Sequence, residues 1–134
     1  MNSPEQHLHV ALVGASDKPS RYAFMAMKML EDYGHTVTLI SPRLSAVESR
    51  PVFPTLQAAP ADRGPIDTIT LYVGPEISMK LAHDIEAAKP RRVIFNPGAE
   101  NSALSRGLEA AGIEVIEACT LVLLRSGQFA SSIG

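Results

Sequence analysis

Three short pieces of this chain carry groups able to hold a phosphorylated ligand. The first is Gly14, Ala15, Ser16 and Asp17, with Arg21 four residues on. Glycine lets a backbone approach an anion closely, and the free amides and positive dipole end of a following helix attract one. The second is Ser41, Pro42 and Arg43. An arginine there can grip a phosphate with two parallel hydrogen bonds, where a carboxylate would repel it. The third is a set of turns, Val73-Gly74-Pro75 and Asn96-Pro97-Gly98, with Glu117-Ala118-Cys119 after them. Ordinary turn chemistry also favours glycine, proline and asparagine. A single loop of this kind therefore says little, and the weight lies in what brings the loops together.

The elements between them supply that. The apolar run Val10 to Val13 stops at Gly14 and reads as a strand. A helix is predicted over Arg21 to Tyr33, with Ala23, Met27 and Leu30 at i, i+4 and i+7 and Gly34 at its C′ position. Thr36 to Ile40 is a second, β-branched strand. Residues 44–65 lose all period between Pro51, Pro54, Pro60 and Pro65, and read as a surface crossover with a short helical turn near Thr55 to Ala58. A third strand is expected at Thr68 to Val73. Gly74-Pro75 then opens a helix with Ile77, Leu81, Ile85 and Ala88 inward, ended by Pro90. Arg92 to Phe95 forms a fourth strand. Asn101 or Ser102 caps a helix with Leu104, Leu108 and Ala111 inward, and Gly112 ends it. Glu114 to Ile116 is a fifth strand, and Leu121 to Leu124 fits either a sixth strand or a short helix.

This alternation predicts an α/β fold: Rossmann-like, doubly wound, with a mostly parallel sheet of about five strands and helices on both faces. In such sheets ligands bind outside the carboxyl ends of the strands, near the point where strand order reverses. All five strand ends carry the turn residues named above, so the three pieces converge on one edge.

The ligand can be narrowed. The G-x-G-x-x-G pattern of dinucleotide sites would place glycines at 16 and 19, where this chain has Ser16 and Pro19. A protein that binds NAD usually carries an acid at the end of the second strand. Here Ser41 and Arg43 stand there instead. The pattern points to a nucleotide with a phosphorylated ribose, coenzyme A or NADP, with Arg21 as a second phosphate group.

Composition excludes other classes. The 134 residues fit one domain, 1–134, with a core large enough to need no staple. A net charge of -2 argues against a nucleic-acid partner, and no apolar run suggests a signal peptide or a membrane span. The single Cys119 suggests a reducing compartment, and the protein reads as cytoplasmic. His7 and His9 lack further ligands at metal spacing, so no metal site is expected. Ser16 lacks a nucleophile elbow, and Cys119 reads first as a buried structural residue. No catalytic residue is assigned. The expectation is a non-catalytic binding module, with an NADP-dependent oxidoreductase, or a CoA-ligase subunit that needs a partner chain, as the alternative.

Several stretches together carry a family resemblance: Val13-Gly14-Ala15-Ser16 with Lys18-Pro19-Ser20-Arg21, Leu39-Ile40-Ser41-Pro42-Arg43, Pro51-Val52-Phe53-Pro54-Thr55-Leu56, Ile66-Asp67 and Glu117-Ala118-Cys119. In their order and spacing the chain resembles stand-alone CoA-binding proteins whose domain also forms the N-terminal part of the succinyl-CoA synthetase α subunit. The resemblance runs from about His9 to Phe129. It implies CoA lying across the strand ends, with Ala15, Ser16 and Asp17 facing the pyrophosphate. It further implies Arg43 at the 3′-phosphate, Val73 to Pro75 flanking the adenine, and Asn96 to Gly98 farther along the cleft. Where many relatives carry Gln-Gly or Glu-Gly, this chain has Phe95-Asn96-Pro97-Gly98-Ala99-Glu100-Asn101.

Overall fold

A computed structural model of the chain describes residues 6–130. The elements run β1 (His9–Val13), α1 (Tyr22–Asp32), β2 (Thr36–Ile40), β3 (Ala46–Val47), β4 (Arg50–Phe53), β5 (Thr68–Leu71), α2 (Pro75–Met79), α3 (Ala82–Ala88), β6 (Arg92–Phe95), α4 (Ser102–Ala110), β7 (Glu114–Glu117) and α5 (Thr120–Arg125). The strands form one sheet in the order β3-β4-β2-β1-β5-β6-β7. All pairings are parallel except β3 with β4. Without β3 this is the doubly wound Rossmann order. The chain leaves β1 toward β2 on one side and returns to β5 on the other, so the order reverses between β1 and β5.

Central strands covered on both faces must be apolar throughout, and β1 is buried along its whole length. Val10 and Leu12 pack with Phe24, Met27 and Leu30 of α1 and with Leu121 and Leu124 of α5. Ala11 and Val13 pack on the opposite face with Ile85 of α3 and with Leu104 and Leu108 of α4. Helices therefore cover both faces, as the periodicity predicts. Asn101, not Ser102, caps α4: its side chain accepts from the Leu104 amide at 3.0 Å.

The sheet has seven strands rather than five. The two additional ones, β3 and β4, lie inside the segment read as an aperiodic crossover. Pro51 is tolerated there because β3–β4 is a two-strand ribbon at the sheet edge. Its turn uses Glu48 and Ser49 at φ 48° and 68°, so the usual Asn-Gly signal is absent. Arg50 fastens the ribbon to α1 with two 2.7 Å hydrogen bonds to Glu31. The turn near Thr55 is present as Ala58 N–H to Thr55 carbonyl at 3.2 Å.

Three other expectations change. The third strand ends at Leu71, two residues early. The helix expected from Gly74 to Ala88 is broken into α2 and α3 at Lys80-Leu81. Ile77 consequently faces a cleft and is 52% exposed rather than inward. Ala111 lies past the end of α4 and is exposed. Leu121 to Leu124 is helical, within α5.

Candidate functional site

The carboxyl edge of the sheet is built around one close approach. Gly14 ends β1 with φ +95°, and a Cβ there would meet the Tyr72 carbonyl oxygen at 2.9 Å. Only glycine allows β1 and the end of β5 to lie this close at the switch point. The Gly14 and Ala15 amides both donate to the Ile40 carbonyl, at 2.9 and 3.2 Å. Those two amides are thus spent on the fold. The Ser16 hydroxyl accepts from the Lys18 amide at 3.1 Å, shaping the turn that follows.

That turn opens a cleft of about 390 Å³ lined by Gly14, Ala15, Ser16, Asp17, Lys18, Arg21, Ser41 and Arg43, among others. It holds three cations against one carboxylate. Arg21 is the N-cap of α1, which has no side-chain cap and no acid in its first turn. The helix start therefore presents its amides and its positive dipole end together with a cation. The Ser41 hydroxyl is buried and accepts from the Arg43 amide at 3.2 Å. Arg43 itself is exposed. The Ser41 amide donates to the Phe53 carbonyl at 3.0 Å, so the unforeseen ribbon helps fix the Arg43 loop.

A second cleft, of about 530 Å³, adjoins the first across Ser41 and Arg43. Pro42, Val73 and Gly74 line it, with Pro54, Leu56, Ile77 and Lys80 from elements that the sequence did not assign to the site. A third, of about 360 Å³, lies on the far side of Tyr72 and takes in Asn96 and Pro97. Pro75 and Gly98 line none of the three. The Gly98 amide is occupied by the Glu100 carboxylate at 3.0 Å.

Asn96 is placed at the edge, but its side chain is buried and committed to the fold. It donates to the Thr70 hydroxyl (2.7 Å) and the Leu71 carbonyl (2.9 Å), and it accepts from the Thr120 amide at 2.9 Å. It therefore pins the start of α5 to the end of β5.

Tyr72 is the residue that sequence reasoning missed. It lines all three clefts. Its hydroxyl is enclosed beside the Thr120 and Thr70 hydroxyls, and burial outweighs them and pushes its pKa up to about 12. Its position, two residues before Gly74 at the switch point, was the available signal. Lys18, present in the quoted motif, was also left out of the site.

Among the described residues, no group of three or more His, Cys, Asp or Glu side chains is placed to hold a metal ion. His9 and His35 lie at the other end of the sheet. His9 meets the Thr38 hydroxyl at 2.7 Å, and His35 accepts from the Leu8 amide at 3.1 Å. No helix among the described residues is long and apolar enough to cross a membrane.

A family model described as a CoA binding domain matches residues 9–125. An uncharacterized protein of known structure is 32% identical, with a TM-score of 0.85, covering 92% of this chain and 99% of that one. A hypothetical protein from Pyrococcus horikoshii is 26% identical, with a TM-score of 0.82 and coverage of 95% and 86%. An acetyl-coenzyme A synthetase of Ca. Korarchaeum cryptofilum shares the fold at 21% identity and a TM-score of 0.68. There the match covers 82% of this chain and 25% of that one.

Proposed function

This chain belongs to the CoA binding domain family, and we propose that it is a single binding module, residues 1–134, for coenzyme A or an acyl-CoA, with no catalytic step of its own. The observation that carries this reading is the first cleft: Lys18, Arg21 and Arg43 surround it at the switch point, beside an uncapped helix start. CoA carries a pyrophosphate and a ribose 3′-phosphate, and charge-assisted hydrogen bonds to such groups are the strong ones. The α1 start and Arg21 suit the pyrophosphate; Arg43 suits the 3′-phosphate. The Ser16 and Asp17 backbone lies beside them. The less polar second cleft, with Val73, Leu56 and Ile77, suits the adenine. Pro75 and Gly98, which line none of these three clefts, are not part of this assignment.

The residues present fit the ligand without supplying chemistry to it. His9 and His35 sit at the opposite end of the sheet, and no histidine is among the residues that line the first cleft with Ser16. The cytoplasmic reading rests on the single free Cys119.

NADP is the competing ligand, because it too carries a phosphorylated ribose. Calorimetric titration with CoA, NADP, NAD and ATP tests the reading. CoA binding below roughly millimolar, with NADP and NAD weaker, is expected; that threshold is worth only about 4 kcal/mol. Tighter binding of NADP than CoA would replace it with the dinucleotide reading.

A further inference from the structure

The first and third clefts meet at two residues, Tyr22 and Tyr72, which line both. Tyr72 follows β5 and is half-buried. Tyr22 is the first residue of α1, directly after the N-cap Arg21. It is 68% exposed, more so than Ile77, Met79 or Val122. Among the described residues its ring makes no ring contact and its hydroxyl no hydrogen bond. Tyrosine forms helices less well than alanine, so the ring does nothing for the start of α1. The two clefts it joins differ in chemistry. The first gathers Lys18, Arg21 and Arg43. The third has Arg125 as its one charged residue and is walled by Met25, Pro97 and Leu121. A charged chamber thus opens into a mostly uncharged one between two tyrosines.

Resting on the CoA reading, we propose that Tyr22 is a ligand-binding residue, and that the uncharged arm of the ligand passes from the first cleft into the third between Tyr22 and Tyr72. CoA has the matching order of groups: a charged pyrophosphate, then a neutral chain of methylenes and amides. The arm leaves the pyrophosphate beside Arg21, and the next residue in the chain is Tyr22. The second cleft also opens on the first, but it holds the adenine in this assignment, which leaves the third for the arm. An aromatic ring with an apolar body and a polar tip suits a chain that alternates methylenes with amides. Binding then buries a ring that is exposed in the free protein, and the arm contributes affinity of its own beyond that of the phosphates.

The test compares CoA with its armless fragment, 3′-phospho-ADP, by calorimetry on wild type, Tyr22→Ala and Tyr22→Phe. Wild type is expected to bind CoA more tightly than the fragment. Tyr22→Ala should weaken CoA roughly tenfold, the scale of one aromatic contact, and leave the fragment unchanged. Tyr22→Phe, which keeps the ring, should retain most of the CoA affinity. Methyl resonances then locate the arm in the wild-type chain. The Met25 signal, from the third cleft, should move with CoA and not with the fragment, while Ile77, from the second, should move with both. If wild type binds CoA and the fragment equally, or Tyr22→Ala weakens both alike or neither, the role of Tyr22 is refuted while the CoA reading stands. A Met25 signal that CoA leaves in place refutes the route through the third cleft. If neither ligand binds wild type, both readings fall. The wild-type titrations and spectra decide these outcomes whether or not either variant folds.

Discussion

A Cβ placed on Gly14 would lie 2.9 Å from the carbonyl oxygen of Tyr72, at a backbone φ of +95°. The contact joins the last residue of the first strand unit to the switch-point residue that all three clefts share. Gly14→Ala is therefore expected to combine backbone strain with a collision against main chain, which cannot swing aside. Gly34 separates the two effects: it has φ +91° and nothing within 4 Å of the added carbon. Gly34→Ala should cost about 1–3 kcal/mol from strain alone, and Gly14→Ala more. Urea denaturation of both variants measures the difference. Equal costs would show that the close approach carries no energy.

Asn96 was read from sequence as part of the binding edge, and its hydrogen bonds instead tie β5 to α5. Asn96→Ala leaves the buried Thr120 amide without its acceptor, a loss of about 1–3 kcal/mol, while the Thr70 hydroxyl keeps its bond to the Thr120 hydroxyl. Hydrogen exchange at the Thr120 amide should rise more than exchange within β1. Uniform acceleration across the sheet would contradict the local role of this side chain.

The Tyr72 phenol predicts an alkaline limb in stability. Burial raises its pKa to about 12 from the ordinary value of 10.0. A pKa raised in the folded state contributes stability that is complete below pH 10 and is lost as pH climbs toward 12, on the order of 2 kcal/mol. Tyr72→Phe should flatten this limb and remove the phenol that titrates at about 12 in an ultraviolet titration. An unchanged alkaline limb in the variant would place the source elsewhere.

The sheet edge was legible in sequence because its signals are local. Gly14 directly follows β1 and Arg43 lies just past the end of β2, and β1, β5 and β6 are buried along their whole length. The β3–β4 ribbon was not legible. Prolines 51 and 54 hide its period, and its turn adopts positive φ with Glu48 and Ser49 instead of glycine. Ile77 fits a helical face by spacing, but the break at Lys80-Leu81 turns it to the cleft, a tertiary effect that no window of residues contains. Tyr72 escaped because its importance comes from three clefts meeting at one side chain.

The CoA reading stands or falls on Arg43 and the ribose 3′-phosphate. The direct measurement is the affinity of CoA against that of dephospho-CoA, by calorimetry, for wild type and Arg43→Glu. Arg106→Glu, on the exposed surface of α4 and outside all three clefts, controls for net charge. Wild type is expected to favour CoA by roughly ten- to hundredfold, the worth of about 1.5–3 kcal/mol in a charge-assisted contact. Arg43→Glu should erase that preference, while stability shifts by about 0.5 kcal/mol or less, as for an exposed loop residue. Equal wild-type affinities for the two ligands, or equal losses of both in Arg43→Glu, would contradict the assignment of Arg43 to the 3′-phosphate.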